Sequence, residues 1–248
     1  MNDGSILLSI VGAATIPDAG SIDDSDIVRF IPTSLGATTA GVYAWYFDGS
    51  DVGLTTNGED IDAITLLADG RVLISVLSSA SVTGASAADE DLLAFTPTAL
   101  GATTSGSWAL YFDGSDVSLS NSSENVGGAW VNTTNGDIYL STIGNFSVPA
   151  ASGDAADVFV CHPGTVGTNT TCAFGPGLYF DGSTHSFGGE VIDNISLTSA
   201  SFQGNGRFDM NAVNDPADEQ STFDDVDDTL QPSDDAESIQ FYLPLVGR

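Results

Sequence analysis

The sequence predicts an all-β chain, a β-propeller-like array of four-stranded repeats, and three observations carry that expectation. Whole blocks recur at a spacing of about 65 residues. Short runs rich in Val, Ile, Leu, Phe and Tyr are bounded by Gly, Asp, Asn and Ser and show no helical periodicity. Asp-Gly or Asn-Gly pairs join neighbouring runs, which is the turn chemistry of tight hairpins.

The clearest block, DSDIVRFIPTSLGATTAGVYAWYFDGSDVGL at 24–54, matches DEDLLAFTPTALGATTSGSWALYFDGSDVSL at 89–119 without a gap. A third copy, AADVFVCHPGTVGTNTTCAFGPGLYFDGSTHSF at 155–187, carries a small insertion. A second element alternates with it: EDIDAITLLADGRVLIS (59–75), ENVGGAWVNTTNGDIYLS (124–141) and, more weakly, EVIDNISLTSASFQGNGRFDM (190–210). Residues 3–9, DGSILLS, match only the second half of that element, so the pattern opens in mid-repeat.

Each unit reads as four strands. Strand one is of the IDAITLL type, and a tight turn joins it to strand two, RVLISVL; strand three is DLLAFTP and strand four is SWALYFD. Repeats fall at about 3–58, 59–123 and 124–189, with a closing strand at 190–198. Residues 199–248 read as a degenerate fourth unit, with an acidic loop at 214–235 and a terminal strand at 238–246. Four-stranded units in series are the mark of propeller blades, which bury their faces against their neighbours. Propellers often complete one blade from both chain ends, and strand one at 191–197 is the expected partner for the N-terminal strands. Other arrangements stay open: a larger ring completed by dimerisation, a stacked-sheet or sandwich repeat, or a terminal strand carrying Ile239, Phe241, Leu243 and Leu245 that is donated to a neighbouring subunit.

Composition narrows the partners. Four Arg, no Lys and 34 acidic residues give a net charge of −30, which disfavours nucleic acid and anionic membrane surfaces. No apolar run is long enough to span a membrane. At 42% hydrophobic and 15% charged residues the chain is built to fold. The N-terminus has no basic n-region, so a leader for export would lie outside this chain.

The acid is mostly Asp in company with Gly, Ser, Asn and Thr, which places it at turns and loops. If strands three and four form a hairpin, Asp24, Asp26, Asp48 and Asp51 gather at one end of unit one, and Asp89, Asp91, Asp113 and Asp116 do so in unit two. Carboxylates brought that close repel unless a cation such as Ca²⁺ neutralises them. Turn capping by each Asp is the competing reading, and an acidic halophilic surface is a third. In unit three Thr184 stands where the second Asp of the corner would be.

Cys161 and Cys172 bracket ten residues, a spacing that suits a disulfide across a hairpin. Sequons at Asn121, Asn132, Asn145, Asn169 and Asn194 are candidate glycosylation sites. No catalytic residue is nominated: the acids recur in every unit, whereas a catalytic site is normally unique, and only His162 and His185 are present as bases.

The combined pattern of DxDIxxFxPTxLGATT, YFDGSDVGL, EDIDAI and DGxxLIS resembles repeats of uncharacterised secreted and surface proteins of Chloroflexi-like bacteria, and the terminal YLPLVGR is similar to ends found there. The resemblance covers residues 3–198 and the last seven, and it implies an exported, repeat-built β domain without catalytic residues to carry over. The expected function is therefore that of an extracellular structural or binding repeat protein, in adhesion, matrix or self-assembly, with other surface proteins or glycans as partners. A secreted carbohydrate-active protein, a lectin-like binder or a glycoside hydrolase using Asp pairs, is the alternative.

Overall fold

Strand Ile6–Leu8 (β1) starts a pattern that runs three times along the computed structural model, which describes residues 3–175 and 177–197, all in one compact unit. The chain is all-β: its regular elements among the described residues are strands and three one-turn 3₁₀ segments. The fourth unit expected at 199–248, with its acidic loop at 214–235 and the strand carrying Ile239, Phe241, Leu243 and Leu245, lies outside the described residues.

In unit one β1 is followed by a small hairpin, Ala14–Ile16 (β2) and Gly20–Ile22 (β3), then by the long strands Ile27–Ser34 (β4) and Ala40–Phe47 (β5). These form a three-stranded sheet in the order β1-β4-β5, with β2-β3 apart. Unit two has all four strands, Ile61–Leu66 (β6), Val72–Val76 (β7), Leu92–Ala99 (β10) and Ser105–Phe112 (β11), with the hairpin Ser79–Val82 (β8) and Ala85–Ala88 (β9) inserted after β7. Unit three repeats it with Val126–Val131 (β12), Ile138–Thr142 (β13), the hairpin Phe146–Val148 (β14) and Ala151–Gly153 (β15), and Phe159–Thr165 (β16) and Thr171–Phe174 (β17). Both complete sheets are antiparallel meanders in sequence order, β6-β7-β10-β11 and β12-β13-β16-β17. The four strands of unit two fall where the apolar runs place them, whereas the closing strand expected at 190–198 does not form over its described residues; the inserted hairpins, built of Ser and Ala as much as of larger residues, carry too weak a pattern to be read from sequence.

The run VLISV in β7 is buried at every position. Alternating side chains point to opposite faces of a strand. Val72, Ile74 and Val76 therefore join the core shared with unit one, alongside Ile27, Phe47, Phe95 and Trp108, while Leu73 joins the core shared with unit three, alongside Phe112, Val126, Leu140 and Phe159. A sheet covered on both faces reads as a continuous apolar run instead of an alternating one.

The segment 191–197 lies against unit three: Ile192 N–H donates to the Ala155 carbonyl at 2.9 Å, and Ser141 Oγ donates to the Ile192 carbonyl at 2.8 Å. The same N–H bond holds strand one at each earlier boundary, from Ile61 N–H to the Asp24 carbonyl and from Val126 N–H to the Asp89 carbonyl, and Ser75 Oγ repeats the hydroxyl bond to the Val126 carbonyl. Among the described residues no ladder joins 191–197 to β1, and no closed ring is present. The reason is local: 191–197 sits where strand one of a following unit sits, one step further along the series.

Candidate functional site

The recurring corner YFDGSD is a joint between repeats. Strand β5 ends at Phe47, and the Asp48 carboxylate then accepts from Ser50 Oγ at 2.8 Å and from Asp51 N–H at 3.3 Å, winding residues 50–52 into a single 3₁₀ turn. Gly49 keeps φ at −68°, a conformation open to any residue, so its identity is set by space. A Cβ at Gly49 would run into the Ser25 carbonyl, and one at Gly114 or Gly182 into the Glu90 or Ala156 carbonyl. Asp26 locks this approach, accepting from Gly49 N–H at 3.1 Å and from Asp23 N–H at 2.8 Å. Asp91 does the same for Gly114 and Ala88, and Asp157 for Gly182 and Asp154.

The outer edge of the corner reaches the next unit. Asp48 N–H donates to Thr104 Oγ1 at 2.9 Å, Thr104 N–H donates to the Asp51 carboxylate at 2.8 Å, and Gly101 N–H donates to the Tyr46 carbonyl at 2.9 Å. Every bond recurs one unit later, from Asp113 to Thr170 at 2.9 Å, from Thr170 to Asp116 at 2.8 Å and from Gly167 to Tyr111 at 2.7 Å. The LGATT loop is thus the receiving half of the joint. Beneath it Phe47 packs edge-on against Phe95 and Trp108, with ring centroids 5.2 and 6.0 Å apart.

Of the eight Asp residues nominated from sequence, Asp26, Asp48, Asp51, Asp91, Asp113 and Asp116 therefore accept protein N–H or O–H groups, while Asp24 and Asp89 sit at the strand-one boundary and offer their carbonyls to Ile61 and Val126. Among the described residues no three His, Cys, Asp or Glu side chains form a group that would hold a metal ion. Burial pushes the Asp26 carboxyl up to about 6, against the two N–H bonds that favour its charged form.

Thr104, Thr170 and two glutamates were not nominated, although recurrence marks them all. Glu59 ties the loop to the hairpin by accepting from Thr55, Thr56 and Ser81 N–H, and Glu124 accepts from Ser120, Asn121 and Ser147 N–H. Burial alone would raise both carboxyls; the converging N–H groups hold them below the usual range.

Cys161 and Cys172 form a disulfide, with Cα atoms 5.2 Å apart. In units one and two the equivalent pairs are Phe30 with Gly41 and Phe95 with Gly106, where the ring lies over the glycine and a Cβ would strike it. Asn145, Asn169 and Asn194 are exposed, Asn132 is half-buried, and the Asn121 amide donates to Glu124 at 2.8 Å.

Two grooves break the repeat pattern. One, of about 800 Å³, is lined by the β8–β9 hairpin with Glu90, Asp91 and Asp113. Burial, and then a hydrogen bond with Asp89, push the Glu90 carboxyl up to about 7; Ser25 and Ala156 hold the same place in the other units. The other groove, of about 200 Å³, is lined by Tyr139, Tyr179 and His162. His162 Nδ1 lies 2.7 Å from the Asp137 carboxylate, and the Tyr139 ring meets Trp130 at 5.3 Å and Tyr179 at 4.8 Å. Comparison with protein-family models, with curated proteins and with solved structures finds no match to this chain.

Proposed function

We propose that the protein is an extracellular structural repeat scaffold that associates through the same joint that links its own units. One observation carries this reading. The receiving half of the joint is presented a third time in unit one, where the LGATT loop at 35–39 is exposed and holds no corner among the described residues. Thr104 and Thr170 are each 3% accessible, whereas Thr39 is exposed, and Leu35 and Val42 beside it are 59% and 49% accessible. Such a face beside an unfilled hydrogen-bonding loop is what a further repeat would cover.

The four-stranded meanders, joined edge and face to the next unit, support a propeller-like arrangement for the array. The disulfide fits an oxidising compartment, and the surplus of acid over Lys and Arg fits a partner that is neither nucleic acid nor an anionic membrane. The repeated carboxylates act inside the joints, which favours a scaffold over Asp-pair hydrolysis.

Sedimentation of the full chain across a concentration series tests the proposal. Association should be concentration-dependent and should weaken in Val42→Asp and in Thr39→Val. A chain that stays monomeric throughout, or whose association ignores both substitutions, would sink it.

A second reading rests on the smaller groove. The exposed Tyr179 ring, supported by Tyr139 and Trp130 and flanked by the His162–Asp137 pair, offers a stacking surface and polar groups to a sugar ring. Glycan-array binding that is lost in Tyr179→Ala would favour it.

A further inference from the structure

We propose that Asp60, Asp62 and Asn125 form a calcium-binding site on the seam where the first strands of successive repeats lie side by side.

Ile61 points into the core shared with unit one, at 5% accessibility, so strand alternation sends its two neighbours, Asp60 and Asp62, to the opposite side. Asn125 immediately precedes β12, the strand that packs on β6, and is only 1% accessible. Its Nδ2 donates to the Leu77 carbonyl at 2.9 Å, and its side chain also bonds Asp62. The amide is thereby pinned beside the carboxylate, and three oxygens are left over: Asp60 Oδ1, Asp62 Oδ2 and Asn125 Oδ1 are all buried without a hydrogen-bond partner among the described residues. An amide oxygen and the oxygens of ionised carboxylates are acceptors only, so none of the three can satisfy another. Buried acceptors are normally satisfied, and each exception calls for a cause.

Among the described residues the surroundings supply no compensating charge. The ionisable groups acting on Asp62 are Asp60, Asp89 and Asp193, all acidic. Arg29 and Arg71 are engaged elsewhere, with Asp3 and Asp69. In the row of equivalent strand-one positions Asp62 is followed by Gly127 and then by Asp193, so no side chain at the middle position separates the two carboxylates. Burial, reinforced by those neighbours, pushes the Asp62 carboxyl up to about 6. A site that gathers oxygens, repels protein donors and concentrates negative charge suits a hard cation. Calcium accepts carboxylate, amide and carbonyl oxygens in flexible geometry, whereas magnesium demands a tighter octahedron. The donor set here is two carboxylates and an amide, and the corner carboxylates, which already hold N–H and O–H donors, are not part of it.

The test uses the full chain, freed of metal with a chelator and titrated with Ca²⁺ near pH 7.5 by calorimetry, with thermal melting in parallel. A saturable heat and a rise in Tm of roughly 5 °C are expected at saturation. Asp62→Asn and Asp60→Asn, near-isosteric changes checked for folding by circular dichroism, should each weaken binding by at least roughly tenfold. The wild-type titration stands even if a variant fails to fold: no heat and no Tm response at roughly 10 mM Ca²⁺, beyond the weakest extracellular sites, overturns the proposal. It is also overturned if Asp51→Asn abolishes binding while Asp62→Asn does not. A third overturning result is that Asp62→Asn stabilises the metal-free chain while the wild type ignores Ca²⁺, since a proton would then fill the gap.

Discussion

The carboxylate of Asp51 accepts the backbone N–H of Thr104 at 2.8 Å across the boundary between two repeats. Asp116 makes the same contact with Thr170 at the next boundary, also at 2.8 Å. Both threonines are buried, so an Asp that is itself exposed satisfies an N–H that water does not reach. Asp51→Ala and Asp116→Ala should each destabilise the array by about 1–3 kcal/mol, the cost of orphaning a buried donor. Thr184→Asp should gain little, because no receiving threonine faces that corner among the described residues. Denaturant melts of the single variants check this; equal effects at 51, 116 and 184 would contradict the joint.

The three glycines of the corners test the same geometry by volume. Gly49, Gly114 and Gly182 have ordinary negative φ, near −66 to −68°, so alanine there is not strained by backbone conformation. It is strained by the carbonyl of Ser25, Glu90 or Ala156. Gly49→Ala should cost about 1–3 kcal/mol, as overpacking does. Gly188→Ala, where a Cβ meets open space, should cost little. Comparing the two midpoints in urea separates crowding from any general effect of removing glycine.

How much of this was legible beforehand follows from what repetition can record. The four-strand unit and the corner as a turn both show as recurring strings, and unit three helps, since Thr184 replaces Asp while the turn at 183–185 survives. What the corner holds was not legible. Thr104 is 53 residues from Asp51 and 56 from Asp48, so the partnership exists only once two sheets are stacked. The Asp clusters consequently read as a metal loop, and the carboxylates of six of those eight Asp residues hold N–H or O–H donors. Asp60, Asp62 and Asn125 leave no recurring string: in the aligned units their positions become Val191, Gly127 and Asp193, so they belong to one seam and not to the repeat.

Acidic groups that resist ionisation in the fold give the stability a defined pH dependence. The Glu90 carboxyl is raised from 4.5 to about 7, by burial first and then by Asp89 and Asp91. Between those values the folded chain holds a proton that the unfolded chain has released, so stability falls as pH rises through this window and levels off above it. Asp26, raised from 3.8 to about 6, acts in the same direction. Glu124, held low by its N–H partners, acts in the opposite direction only at more acidic pH. Tm should therefore rise as pH is lowered from 8 towards 5. Glu90→Gln, which carries no charge, should melt a few degrees higher than the wild type at pH 8 and lose that advantage near pH 5. An identical pH profile in the two proteins would refute this assignment.

The bridge between Cys161 and Cys172 occupies the place of a packing pair, and that makes its role separable from that of the strands around it. Two neighbouring units hold the same strand pair with a phenylalanine ring laid over a glycine, Phe30 on Gly41 and Phe95 on Gly106. With the cysteines 11 positions apart in the sequence, chain entropy assigns the bridge roughly 3 kcal/mol. Cys161→Ala with Cys172→Ala removes the bridge and leaves a gap where Phe159 and the buried residues around it meet, so it should cost at least that much. Cys161→Phe with Cys172→Gly instead installs the pair used in the other units. It should recover at least half of the loss, and it should make Tm insensitive to reducing agent while the wild type still responds. Melting the three proteins with and without reductant measures both effects, and a Phe–Gly variant no more stable than the double alanine would show that unit three has drifted too far to accept the solution of its neighbours.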